Sequence, residues 1–378
     1  MTNDVRIVAV EDSKGLLKFV EYPFQLYRDD PLWVPPFIEE RLDFFNPKKN
    51  PFFEHSRSQL YLGYRGDRLV GTIGAVINDN HNKCHDELSG AFGFFETIDD
   101  QAVADALLVA AEDWVRGQGM NLIRGPLNFS LNDEIGLLID GFETAPMLMM
   151  THNPRYYAGL VEAHGYVKAM DVYAYICDFE EALGKAPPKV FRVAEKAAQM
   201  ADVHVRKVDL RHFDKEVALI KQVYNSAWEK NWGFVPMTDP EIDHLAAALR
   251  QLVDKDLVFI AETAEGRPVG VSVTLPDANQ ALLRSGGGHM WPFGVPKYLW
   301  HRRDIDQVRL LIMGVIQEYR SRGLDAVFYV ETARVAMSRG FKRMESSWIL
   351  ETNTMMNRII ENLGGKRYKT YRVYERPL

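Results

Sequence analysis

The sequence predicts an α/β (α+β) chain of two similar domains, each a mixed, mostly antiparallel twisted sheet flanked by helices. Three observations predict it. The 378 residues exceed what one compact core usually organises, so two domains are expected. Short apolar runs alternate with longer segments whose apolar residues recur at helical spacing. The order of those segments in the first half returns in the second, as an internal duplication would leave it.

Residues 5–10 read as a strand, and residues 13–27 as a helix that Asp12 or Ser13 caps. The proline-broken stretch 29–37 is a loop. Residues 59–79 read as a hairpin turned at Arg65, Gly66 and Asp67, and residues 91–96 as a short strand. A helix follows from Asp99 and stops at Gly119. Then come a strand over 121–128, a helix over 153–165 and a closing strand over 166–176. Composition changes from Ala182 to Pro188, which sets the expected domains at 1–182 and 203–378, with 183–202 as a linker carrying an amphipathic helix. The second half repeats the order: strand 203–209, helix 216–228, hairpin 256–275 turned at Glu265 and Gly266, strand 309–315, helix 324–340, strand 343–350, helix 353–365 and last strand 366–375. Asn153 and Gly165 recur as Asn353 and Gly365 at the same separation.

A composition 47% hydrophobic and 26% charged is that of a globular protein. The net charge of −7 argues against nucleic-acid binding, which needs a basic face to displace counterions. Cys84 and Cys177 give neither a disulfide framework nor a paired metal site, so a reducing, cytoplasmic location is expected. The N-terminal stretch lacks the basic flank and apolar core of a signal peptide. No apolar run is long enough to span a bilayer, and no membrane partner is expected. His81, Cys84 and His85 lie in a polar stretch that reads as loop rather than as a zinc site, so no metal is expected. A monomer or a homodimer is expected.

The segment 317–326 places Arg320, Ser321, Arg322 and Gly323 between an apolar strand and a helix that starts at Leu324 and Asp325. A helix start carries N–H groups without partners and the positive end of its dipole. A glycine lets a phosphate approach the backbone, and flanking arginines add charge-assisted bonds. The residues read either as such an anion cradle or as an exposed basic turn.

In its place within the whole pattern, this turn resembles the signature turn of the GNAT superfamily of acyl-CoA-dependent N-acyltransferases, Arg/Gln-x-x-Gly-x-Gly/Ala. Arg320 and Gly323 match it, while Asp325 departs from the small residue expected last. The resemblance covers Val203 to Glu375. The first half resembles the superfamily more faintly: Gln101, Ala104 and Ala106 stand at the equivalent turn, behind Asp99 and Asp100, whose charges disfavour a phosphate. It reads as a degenerate copy, with an extra stretch over 129–152. The stretches 92–96, 124–134 and 347–353 are similar to a bacterial group of tandem GNAT-like proteins.

The resemblance implies an acetyl-CoA or other acyl-CoA held by the second half, by Gly314, Val315, Arg320, Ser321, Arg322, Gly323, Leu324, Asp325 and Asn353. The amide of Gly314 or Val315 would polarise the thioester carbonyl. A base would take the amine's proton, with Glu318, Glu331, Glu345 and Glu351 as candidates, and Ser347 sharing a strand face with Glu345. The family's tyrosine falls at Ile360, and at Leu160 in the first half, so it is absent. Tyr368 and Tyr371 are substitutes, or packing residues. Trp228, Glu229, Asn231, Trp232 and Phe234 lie where the family covers its acceptor. The implied function is acyl transfer, acetyl in the first instance, to the amine of a small molecule or peptide. A ligand-binding scaffold on a decayed acyltransferase fold, and an aminoacyl or long-chain acyl transferase, are the alternatives.

Overall fold

The computed structural model describes residues 4–185, 187–229 and 231–378. The first half runs β1 (Val5–Ala9), α1 (Ser13–Leu26), α2 (Ile38–Phe44), β2 (Ser56–Arg65), β3 (Arg68–Asn78), α3 (Asp79–His85), β4 (Ser89–Thr97), α4 (Gln101–Gly117), β5 (Leu122–Gly125), β6 (Leu127–Asn128), β7 (Glu134–Ile135), β8 (Leu137–Asp140), α5 (Tyr157–Ala163) and β9 (Val167–Asp178). Then follow α6 (Phe179–Lys185), α7 (Pro188–Ala198), β10 (Val203–Lys207), α8 (Phe213–Ala227), α9 (Asp239–Leu249), β11 (Val258–Thr263), β12 (Pro268–Pro276), α10 (Ala278–Ser285), α11 (Val295–His301), β13 (Gln307–Val315), α12 (Leu324–Ser338), β14 (Arg343–Leu350), α13 (Thr354–Asn362) and β15 (Lys366–Pro377). The α+β class and the repeated order are as the sequence predicts. The zinc-like stretch at His81 is a short helix and not a loop, because the Asn78 side chain accepts from the His81 N–H at 3.1 Å and caps it. Among the described residues no helix is long and apolar enough to cross a membrane.

Two compact units result. The first holds Met1–Val172, Ala281–His301 and Lys369–Leu378; the second holds Tyr173–Gln280 and Arg302–Tyr368. The division departs from the expected 1–182, 183–202 and 203–378, a boundary region in which Ala186 lies outside the described residues. The reason is strand pairing. β5 finds its outer neighbour in the end of β15, from Tyr374↔Gly125 to Pro377↔Leu122. A cut between the sequence halves would leave that backbone edge without partners. The closing strand of each half therefore ends in the other unit, Tyr173–Asp178 in the second and Lys369–Leu378 in the first.

In the first unit the sheet order is β1-β2-β3-β4-β5-β15, with β8 also on β15. β4 and β5 pair in parallel. α4 lays Val103, Leu107, Leu108, Ala111 and Val115 on one face, against Ile73, Ile77, Phe92 and Ile123. The other face is a phenylalanine cluster of Phe19, Phe45, Phe52, Phe94 and Phe129. In the second unit the order is β9-β14-β13-β12-β11-β10, with β13 and β14 parallel. α12 and α7 pack together through Ala194, Ala197 and Val327.

Candidate active site

β13 pairs with β14 from Gln307↔Arg343 to Leu310↔Ser346. Against β12 its register slips, Val273 facing Ile312 and Thr274 facing Leu310, so that Leu311 is the extra residue of a bulge. A bulge bends a strand and withdraws a residue from the ladder. The bend thus falls where the parallel pairing ends. Gly314 and Val315 are in register with Val271 and Gly270, and the Val315 oxygen accepts from Arg320. The space a Gly314 side chain would need holds the Trp228 ring, 2.6 Å from an ideal Cβ.

Beside the bulge, α8, α9 and strands β11 to β13 line a cavity with an open mouth. Its wall is apolar, with Val217, Leu245, Leu249, Leu275, Leu311 and Ile312 among the lining residues. α9 was not legible as a wall, yet its start was written in the sequence: Thr238 and Glu241 form a reciprocal capping box. Trp228 and Phe234 both pack on Tyr224, a lining residue, at ring separations of 4.9 and 5.5 Å. Glu229 is exposed, and Asn231 and Trp232 are half-buried. So the acceptor wall expected there supports the cavity with Trp228 and Phe234.

Residues paired across strands share a face. Leu275 pairs with Arg309, and Arg309 with Glu345, so all three stand on the cavity's side of the sheet. Glu345 is 0% exposed. Neither of its carboxylate oxygens has a hydrogen-bond partner among the described residues. The Arg309 guanidinium lies 5.4 Å over the Trp348 ring. Ser347 is buried on the same strand as Glu345. Glu351 lies past the strand end, and Tyr371 belongs to the first unit, paired with Leu138. The structure therefore keeps Glu345 and Ser347 together and does not bring Tyr371 into their unit.

Gly323 is the N-cap of α12 at φ +85°. Its open side meets α7, with Val193 Cγ1 2.6 Å from where a Cβ would stand. Close packing explains this glycine, which corrects the expectation that it opens the turn sideways to a phosphate. Arg320 donates to the Val315 and Ala227 oxygens, and Arg322 pairs with Asp202 at 2.8 Å. Ser321 takes a left-handed φ of 62°, and Leu324 is buried. Asp325 lies in the first turn, and among the described residues no side chain caps the start of α12. Asn353 caps α13 through the Met356 N–H, as its residue type favours.

The first unit answers the same positions with its own side chains. Asp100 accepts from the Ala102 and Val103 N–H groups at the start of α4 and pairs with Arg65 at 2.7 Å. At the β4 bulge the Phe94 N–H donates to Asn128 Oδ1 at 2.8 Å. Two residues on is Glu96, whose Oε2 accepts from Tyr27 at 2.6 Å and from Tyr157 at 2.7 Å. Burial pushes its carboxyl up to about 7, against the pull of the two phenols. Beside it His152 Nε2 faces Asp30 at 2.7 Å, and burial holds that imidazole below its ordinary range. Sequence reading missed this group. It sought a tyrosine at Leu160, whereas the helix presents Tyr157, three residues earlier.

No family model matches the sequence. Two curated proteins do. "Bacterial ceramide synthase" of Caulobacter vibrioides is 39% identical over 99% of this chain and 98% of its own. "Protein YghO" of Escherichia coli is 35% identical over 97% and 94%. The chain belongs to their family. Among solved structures, a tandem GNAT protein from the clavulanic acid biosynthesis pathway superposes with a TM-score of 0.59 over 99% of this chain and 98% of that one, at 12% identity. A GCN5-related N-acetyltransferase from Sphaerobacter thermophilus gives 0.52 over 98% and 95%, also at 12%. At such identities the likeness establishes the fold, which is tandem GNAT. Fold and family are those of acyltransferases.

Proposed function

We propose that the chain is an N-acyltransferase that moves a long acyl group from an acyl-CoA to the amine of a long-chain lipid. The observation that carries this is Glu345, a buried carboxyl group without a hydrogen-bond partner among the described residues, on the sheet face that also walls an apolar cavity. Burying a carboxylate unpaired is costly, so a ligand that brings a donor there gains. The cavity favours a long chain over the acetyl group first expected, because each buried methylene contributes about 0.8 kcal/mol. The family relative named a ceramide synthase supports the same reading, ceramide being a long-chain amino alcohol acylated on nitrogen.

In this reading the second unit supplies the chemistry. The uncapped amides of α12 suit the pyrophosphate of an acyl-CoA approaching along the helix axis. The bulge at Leu311 offers its backbone amides to the thioester oxygen. Glu345 takes the proton of the attacking amine. The C–N bond forms, the C–S bond breaks, and the departing thiolate takes a proton from water. The first unit, with its bulge amide and helix start already satisfied, serves as the degenerate partner. Hexadecanoyl-CoA with a long-chain amino alcohol should release thiol, and Glu345→Gln should lower kcat by roughly a hundredfold or more while the thermal shift by the acyl-CoA persists. Equal turnover in the variant would remove Glu345 from this role. The scaffold alternative, which the closed side of Gly323 and the missing tyrosine favour, predicts the thermal shift without thiol release from any amine.

A further inference from the structure

Four large apolar side chains stand in water within ten residues. Trp291, Phe293, Leu299 and Trp300 are 70%, 69%, 54% and 64% exposed. Single exposed apolar residues are ordinary, but a cluster of this kind marks a contact surface. The display is held firmly to the first unit. Gly288 donates its N–H to the Pro36 oxygen at 3.0 Å, and its own oxygen accepts from Ile38 at 2.9 Å. Glu39 accepts from the Met290 N–H at 2.9 Å and faces His289 Nδ1 at 3.0 Å. Gly287 approaches Pro35 so closely that a Cβ would lie 2.1 Å from its carbonyl oxygen. The Tyr298 ring meets the edge of Phe37 at 6.1 Å. One side of the segment is thus bonded down, which fixes the aromatic side chains outward.

Charge indicates what meets them. No acidic residue occurs between Asp277 and Asp304, in a chain with 52 of them and a net charge of −7. That stretch carries Arg284, Lys297, Arg302 and Arg303 instead. Indole and phenyl rings beside Lys297, in a stretch whose one acidic contact, Glu39, is engaged by His289 and the Met290 N–H, match the headgroup layer of a bilayer bearing anionic phospholipid.

We propose that the element from His289 to His301 is a membrane-interface anchor. Trp291, Phe293, Leu299 and Trp300 enter the boundary of headgroups and acyl chains, and Lys297 meets lipid phosphates. This rests on the proposed lipid acceptor, which would be drawn from that bilayer. The anchor lies in the interface and does not span it.

The full chain is mixed with vesicles of phosphatidylcholine, with and without phosphatidylglycerol, and sedimented. Binding should be stronger with the anionic lipid and fall several-fold with added salt. Trp291→Ala, Phe293→Ala and Trp300→Ala should each weaken it by roughly tenfold. In the wild type, brominated lipid should quench indole fluorescence. Equal sedimentation of wild type and triple variant would overturn the proposal. So would wild-type self-association that the triple variant abolishes without any vesicle binding, since the patch would then join copies of the chain. Thiol release with detergent-dispersed substrates separates the two claims. Binding without transfer defeats the acyltransferase reading alone, and transfer without binding defeats the anchor alone.

Discussion

Ala246→Phe tests whether the apolar cavity of the second unit holds the donor's acyl chain. Ala246 lines it from α9, half-buried among Leu245, Leu249 and Ile242. A phenyl ring there fills existing space, so the folded chain should tolerate it better than the same change in a filled core. The ring displaces the last methylenes of a long acyl chain, roughly three of them. At about 0.8 kcal/mol per methylene the loss is about 2.4 kcal/mol, or roughly fiftyfold in kcat/KM. Hexadecanoyl-CoA should suffer this loss, and butanoyl-CoA, too short to reach the ring, should react as before. The assay is thiol release with one acceptor and a donor series of increasing length. A variant that slows both donors alike, or neither, refutes the assignment. A loss that follows the acceptor's chain length instead would assign the cavity to the acceptor.

Glu96→Gln should change how stability depends on pH. The folded chain keeps this proton up to about 7, against an ordinary 4.5, so between those values the folded state binds more protons than the unfolded state and stability falls as pH rises. The full effect is about 3 kcal/mol above pH 7 and nil below pH 4. Urea melts at pH 5 and pH 8 should show the wild type losing stability across that interval relative to the variant, and parallel behaviour would show that Glu96 titrates normally. Gly323→Val should destabilise the chain by roughly 2 kcal/mol or more, from the left-handed φ and from contact with Val193. Denaturant melts measure it, and an unperturbed midpoint would mean that α7 does not pack there.

The element order was legible because its signals are local. Period and glycine stops mark α4 and α12, and Asp12 caps α1 by accepting from the Gly15 N–H at 2.7 Å. The sheet that receives β15 was not legible, because pairing Tyr374 with Gly125 is a contact between distant parts of the chain. At the site, Glu345 could be singled out as a carboxylate in a run otherwise suited to a strand. The bulge could not, since residues 309–315 are apolar almost throughout and show no break at Leu311. Gly314 and Gly323 drew attention as glycines near a cofactor. Both make room for protein instead, for Trp228 and Val193, and a sequence does not tell a glycine approached by a ligand from one approached by another helix.

The duplication makes the contrast between the units physically informative. Asp100 occupies the start of α4 and Asn128 the amide of the β4 bulge, so the first unit satisfies these two positions itself. Among the described residues the second leaves α12 without a side-chain cap and the Glu345 carboxyl without a hydrogen-bond partner, groups that cost stability in the unliganded chain. A ligand that satisfies them recovers this cost on binding, and the first unit offers no comparable gain at these positions. In the proposed reading, acyl-CoA should therefore stabilise the chain through the second unit, which a thermal shift measures.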